Sequence, residues 1–225
     1  MTIAYAPIPL PDRSAMTPAQ ALASAERLLE RFARRHTVRE FSNQPVDRRI
    51  LEHCIAAAAS APSGANQQPW HFVLIGPGPL RGQIRAAAEA EERAFYAGRG
   101  GEEWLRALGP LGTDPDKPFL ETAPWLIAVF AQRHGVGPEG RKVKHYYVPE
   151  SVGIATGFLI SALHECGLAS LTHTPSPMTF LSEALRRPTH ERAYMLIVTG
   201  HPAPDATVPA HAKLKKPPNE VMSVV

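Results

Sequence analysis

Three groups of residues have types and spacings that could do chemistry. In the stretch RRHTVREF, Arg34 to Phe41, Arg35 and Arg39 flank His36 and Thr37. Two guanidinium groups and a hydroxyl so close together could fork onto a phosphate through charge-assisted hydrogen bonds. A solvated helix end whose basic residues favour the helix dipole accounts for the stretch equally well. The second group is APSGANQQPW, where Pro62, Ser63, Gly64 and Ala65 offer backbone N–H groups behind small side chains. A flat ligand could approach such a loop closely, and an ordinary turn does not explain why small and amide residues concentrate there. In the third group, Glu92 and Tyr96 lie four apart, so on a helix they share a face. They precede a segment in which five of the chain's 16 glycines fall between Gly98 and Gly112, and Pro115 and Pro118 then bracket Lys117. Long loops inside compact domains are usually lids, binding loops or linkers. Taken singly, Glu92, Tyr96 and Lys117 read as solvated side chains.

Other signals lose on closer reading. GPGPLRG, Gly76 to Gly82, sits where a dinucleotide-binding glycine loop would sit. It has one residue too many before the third glycine, and prolines stand where backbone N–H groups should face a pyrophosphate. His145 to Tyr147 reads as a helix start with packed aromatics. There is no GxSxG elbow for a hydrolase and no Cys/His spacing for a metal. Cys54 and Cys166 sit among apolar neighbours and are expected to be buried free thiols.

The elements that must position these residues follow from periodicity and caps. Thr17, Pro18 and Gln20 form a capping box, predicting a helix to about His36. Asp47 to Ala59 carries Ile50, Leu51, Cys54, Ile55 and Ala58 along one helical face. Strands are predicted at Trp70–Gly76, Trp125–Ala131, Leu168–His173 and Ala193–Gly200, and further helices from Pro79 to Tyr96 and in the stretch MTFLSEALRR. Pro149 to Cys166 is a helix apolar on most sides. Such a helix must be buried, and a subunit interface is a natural place for it. The fold class is α+β, a sheet of four or five strands with helices on both sides.

The chain has 225 residues, of which 44% are hydrophobic and 20% charged, with a formal net charge of +3. That suits one core, ordinary in composition. The basic clusters are too short to argue for nucleic acid and suit a small anion. No signal peptide or membrane-length apolar run is present, so a soluble cytoplasmic protein is expected.

RRHTVREF followed by APSGANQQPW resembles the FMN-dependent nitroreductase superfamily. ETAPWLIAVF, HYYVPESVGIATGFLISALHECGL, LTHTP and ATVPAHAKLKKP extend the likeness to its iodotyrosine deiodinase branch, over about residues 28 to 225. The resemblance implies a single FMN-binding domain with a central mixed sheet, forming a domain-swapped homodimer with FMN at the subunit interface. A lid would span about residues 92–118, and the tail 202–225 would embrace the partner. It assigns Arg35, His36, Thr37, Arg39 and Lys215 to the phosphate and ribityl chain, and Pro62, Ser63 and Gly64 to the flavin ring. Thr172, His173 and Thr174 match a Thr-Thr-Thr run, with the Thr174 hydroxyl on flavin N5. His36 and Lys215 replace arginines, and Lys215 loses the bidentate fork. Ala65 would hold the substrate phenolate through its N–H. Glu92 would pair with the ammonium and Lys117 with the carboxylate of a halotyrosine, while Tyr96 covers the ring. The implied activity is reductive dehalogenation through the flavin semiquinone, with electrons from NAD(P)H directly or through a flavin reductase. A general nitro- or quinone reductase is the alternative. No metal, nucleic acid or membrane partner is implied.

Overall fold

The most apolar run, WLIAVFA, forms an inner strand of the main sheet, and each of its faces has its own cover. In this computed structural model, residues 5–10 and 15–225 are described. They fall into two compact units, residues 1–35 and 36–225.

The first unit is the helix α1, Pro18–Ala33, opened by the expected Thr17–Gln20 capping box and with no buried residue. It stops three residues short of His36. Arg34 is its C-cap, and the basic motif continues as extended chain rather than as a helix end.

In the second unit, α2, Arg48–Ala59, is capped by the Asp47 carboxylate, which accepts the Arg49 N–H. β1, Trp70–Ile75, leads through a plain turn at Gly78 to α3, Pro79–Ala94. α4, Glu102–Leu108, and the short α5, Phe119–Thr122, come next. β2, Trp125–Gln132, precedes a hairpin of β3, His134–Val136, and β4, Lys142–Lys144. Then follow α6, Val148–Glu165, β5, Ala169–His173, α7, Thr179–Ala184, β6, Glu191–Gly200, and α8, Pro218–Val221.

The main sheet has the order β1-β2-β6-β5, and every pair is antiparallel. This corrects the expectation of a mixed sheet: the only parallel pairing among the described residues is the isolated bridge Thr37–Ser170. Alternation along β2 divides the core. Leu126, Ala128 and Phe130 meet Ile84, Leu120 and Leu181 on one face. Ile127 and Val129 meet Leu51, Ala58, Val152 and Leu159 on the other. Both faces are covered, so the strand reads as a continuous apolar run rather than an alternating one.

Two further expectations change. The glycine-rich segment is not a bare loop, because EEWLRAL forms α4 within it. Cys54 is buried, but Cys166 is exposed; it sits just past the last turn of α6, where the helix has run out of cover, with its Sγ 3.8 Å from Cys54 Sγ. α6 buries Val152, Ala155, Leu159 and Leu163 but leaves Ile154 and Phe158 exposed. Among the described residues no helix is long and apolar enough to cross a membrane, and no His/Cys/Asp/Glu cluster could hold a metal ion.

Candidate active site

Glu92 and Tyr96 reach the same cavity because α3 runs straight into a wider π turn, Phe95–Arg99, that keeps them one turn apart. Gly98, at φ 134°, bends the chain there, a conformation open to glycine but costly for other residues. At Gly100 a Cβ would stand 2.5 Å from the Phe95 ring, so only glycine lets the chain pass. Phe95 packs edge-on against Tyr96 and Trp104, with centroids 5.5 and 4.9 Å apart. This segment thus carries a small aromatic core of its own.

Lys117 returns to this face from the far end of the glycine-rich segment. Its backbone N–H donates to Glu89 Oε1 at 2.8 Å. Its Nζ lies 3.3 Å from Glu92 Oε2, donates to the Asp114 carbonyl, and stands 5.9 Å from the Tyr96 ring centroid. The Tyr96 hydroxyl meets Thr113 Oγ1 at 2.6 Å. Lys117 is one of few buried charges, only 6% exposed, and a buried charge persists where it is paired. Beyond it the chain is tied to the core by Arg81. This buried guanidinium donates to the carbonyls of Leu120 at 2.5 Å and Ala123 at 2.7 Å, which α5 leaves unpaired at its end. Burial holds the Arg81 pKa down to about 10, with Glu121 pulling it back up.

The opposite wall comes from Arg39 and the end of β5. The Val38 N–H donates to the Ser170 carbonyl at 3.2 Å, which lays this segment along β5. Arg39 is half-buried; burial lowers its pKa, while Tyr96 and Asp114 act to raise it. Alternation along β5 exposes Thr172 and turns His173 inward, edge-on to Phe119 at 5.8 Å. His173 Nε2 is buried with no hydrogen-bond partner among the described residues. Burial first, then the charges of Lys117 and Arg39, push this imidazole down to about 3, so it is neutral.

The cavity between these walls has a volume of about 990 Å³. Of the residues singled out from sequence, it brings together Arg39, Glu92, Tyr96, Lys117, Thr172, His173 and Thr174. It does not include His36, Thr37, Pro62, Ser63, Gly64, Ala65 or Lys215. Arg35 closes the N-terminal unit. Lys215 is exposed and folds back onto the Ala212 carbonyl at 2.9 Å.

The small-residue loop is a second, separately built surface. Ala65, Asn66 and Gln68 all have φ near +50°, a conformation that costs non-glycine residues energy and clusters at functional sites. Gly64 N–H donates to Ser151 Oγ at 3.2 Å, and a Cβ there would stand 2.6 Å from the Tyr146 carbonyl oxygen. The Gln67 amide accepts the Tyr146 N–H at 2.8 Å and donates to the Lys144 carbonyl at 2.7 Å, fixing the loop to the β3–β4 hairpin.

Glu89 and Arg99 were not singled out from sequence. Glu89 lies three residues before Glu92 on the same helical face, and its i,i+4 pairs with Arg85 and Arg93 were available as a signal. Arg99 follows Tyr96 by three residues but meets its partners only through tertiary structure.

The nitroreductase family profile matches residues 32–201. The chain belongs to the nitroreductase family. Among family members with curated names, the iodotyrosine deiodinase of Haliscomenobacter hydrossis is 48% identical over 192 residues, 85% of this chain and 86% of that one. The iodotyrosine deiodinase of Nematostella vectensis is 41% identical over 190 residues, covering 84% and 71%. A crystal structure of oxidized iodotyrosine deiodinase bound to FMN and 3-iodo-L-tyrosine matches this nitroreductase-family fold with a TM-score of 0.71 at 32% identity, covering 88% of this chain and 97% of that one.

Proposed function

We propose that the chain is an FMN-dependent reductive dehalogenase of halogenated tyrosine, converting iodotyrosine to tyrosine and iodide. The observation that carries this reading is the grouping of Glu92, Tyr96 and the buried Lys117 at one end of the cavity, with Arg39 and Thr174 also lining it. A carboxylate and an ammonium 3.3 Å apart match the two charges of an amino-acid zwitterion, which is costly to desolvate unless both are met. A promiscuous nitro- or quinone reductase has no use for such a pair.

The residues present suit a flavin mononucleotide. Arg39, with Arg35, His36 and Thr37 before it, supplies cations and a hydroxyl for the phosphate and ribityl chain. Lys215 adds a cation from the tail. Pro62, Ser63 and Gly64 form a backbone surface that a planar ring can approach, held in place by the close packing of Gly64 against the Tyr146 carbonyl. Thr172, His173 and Thr174, which line the cavity, would edge the ring, the Thr174 hydroxyl offering it a hydrogen bond. The cofactor, when bound, supplies the reducing electrons, drawn from NAD(P)H directly or through a flavin reductase.

The chain's own residues do the rest. Glu92 takes the substrate ammonium, Lys117 its carboxylate, and Tyr96 covers the ring. The Ala65 N–H holds the phenolate oxygen. Lid closure excludes water.

In this reading the small-residue loop and the cavity meet across two protomers of a homodimer, with the loop of one completing the site of the other. The chain acts as one flavin-binding domain over its length, with a lid at 92–118, in the cytoplasm. Exposed Ile154 and Phe158 on α6, and Leu214, Val221 and Met222 in the tail 202–225, are apolar surfaces such a partner would cover. Iodide release from 3-iodotyrosine by the reduced, FMN-loaded protein, measured anaerobically, tests the activity. Reduction of nitroaromatics without any iodide release would assign the chain to the general reductases.

A further inference from the structure

Arg99 ends the π turn of the lid, and its guanidinium joins two separate segments. Nη1 donates to Glu91 Oε2 at 2.7 Å. Nη2 donates to the Glu91 carbonyl at 2.8 Å and to the Ser176 carbonyl at 2.5 Å. Glu91 belongs to α3 beside Glu92. Ser176 lies in the loop after β5, two residues beyond Thr174. One planar fork therefore spans from the helix that reads the substrate to the loop that carries the hydroxyl.

Two features argue that this contact positions rather than staples. The Arg99 side chain is 42% exposed, and ion pairs at such exposure add little to stability. Arg99 also lies between Gly98 at φ 134° and Gly101 at φ 74°, conformations open to glycine that turn the chain sharply on either side of it. From this turn Arg99 holds the β5–α7 loop through the Ser176 carbonyl. A guanidinium fixes the angle between its partners, which a point-charge ammonium does not.

We propose that Arg99 is a positioning residue that couples lid closure to the placement of Thr174. With the lid down on a substrate held by Glu92 and Lys117, the Arg99–Ser176 contact fixes the Thr174 loop. With the lid raised, the loop is released and the hydroxyl loses its register. Recognition of the amino-acid end, at one side of the cavity, thereby sets the geometry at the reacting side. This inference rests on the dehalogenase reading above.

The test compares wild type, Arg99→Gln and Arg99→Lys as FMN-loaded protein. Five quantities are read: kcat and KM for 3-iodotyrosine dehalogenation, the rate of nitroaromatic reduction, FMN content and Tm. For Arg99→Gln, kcat for iodotyrosine is expected to fall roughly tenfold, the loss of one charge-assisted hydrogen bond. KM, nitroaromatic reduction, FMN content and Tm should stay near wild type. Arg99→Lys can still reach one carbonyl and should recover part of kcat. An unchanged kcat in Arg99→Gln overturns the proposal. So does a fall shared equally by nitroaromatic reduction and FMN content, which would mark Arg99 as structural. If Arg99→Gln does not fold, Arg99→Lys decides alone: full wild-type kcat or a matching loss of FMN overturns the coupling, and a selective loss of kcat supports it. A wild-type protein that releases no iodide defeats the dehalogenase reading itself and is recognised before any variant is made.

Discussion

Lys117 Nζ lies 3.3 Å from Glu92 Oε2, and both side chains are largely buried. They come from opposite ends of the lid, 25 residues apart in sequence, so this ion pair closes the segment on itself. The chain thus supplies a partner for each of the two charges. In the proposed reading, a zwitterion entering the cavity exchanges one internal pair for two, which keeps both charges matched before and after binding.

In the proposed reading, removing either Glu92 or Lys117 leaves one charge of the bound zwitterion buried and unpaired. Truncating one side of a buried charge pair costs roughly 2–5 kcal/mol. For Glu92→Gln and Lys117→Met, iodotyrosine affinity should therefore fall about 30-fold or more, at ~1.4 kcal/mol per decade. The affinity for a halophenol should hardly change. Isothermal titration of both ligands checks this; an equal loss for both would remove the lid from substrate recognition.

Thr174→Ala deletes a hydroxyl assigned to the flavin edge. A single net hydrogen bond is worth about 0.5–1.5 kcal/mol, so dehalogenation should slow by severalfold while nitroaromatic reduction persists or rises. Parallel rates on the two substrates decide the matter. Unchanged dehalogenation would end the assignment.

His173 makes stability depend on pH in a defined direction. Its pKa falls from 6.5 to about 3 on folding, through burial and the charges of Lys117 and Arg39. Below pH 6.5 the unfolded chain takes up a proton that the folded one refuses. This contribution is therefore fully present above pH 6.5 and is lost as pH falls toward 3, at up to ~1.4 kcal/mol per pH unit. Lowered carboxylates such as Glu89 and Glu191 act only below their ordinary value of 4.5. Urea unfolding between pH 7 and pH 5 should show the loss in wild type and a much flatter profile in His173→Thr. Parallel profiles would place the neutral imidazole in doubt.

The two thiols should differ sharply in reactivity. Burial, with Cys166 beside it, raises Cys54 to about 12, whereas Cys166 is exposed. Since the thiolate is the nucleophile, iodoacetamide at pH 8 should label Cys166 first and leave Cys54 unlabelled until the protein is denatured. Mass spectrometry of the alkylated peptides reads this out, and equal labelling in the folded protein would contradict it.

What could be read from sequence tracks how local the cause is. WLIAVFA and AYMLIVTG announce their strands because burial on both faces forces continuous apolar runs. Thr17, Asp47 and Pro79 announce helix starts because caps are local chemistry. α4 was hidden because Gly98, Gly100 and Gly101 before it, and Gly109 and Gly112 after it, mask a seven-residue periodicity. The three-residue strands of the β3–β4 hairpin are too short to show alternation. In the site, Glu92 and Tyr96 were legible as an i,i+4 pair. Glu89 offered only its i,i+4 pairs, and Arg99 no signal, because their ties to Lys117 and Ser176 depend on where those residues return in space. The orphaned Nε2 of His173 also depends on packing that no local pattern encodes.

The central claim is that the lid reads the amino-acid end of a halotyrosine above a flavin. Anaerobic titration of the FMN-loaded wild-type protein with 3-iodotyrosine and with 2-iodophenol, followed by flavin absorbance, tests it most directly. Iodotyrosine is expected to perturb the flavin spectrum at concentrations at least about 30-fold lower than iodophenol, the same two charge contacts being at stake. Equal affinity for the two ligands would contradict it.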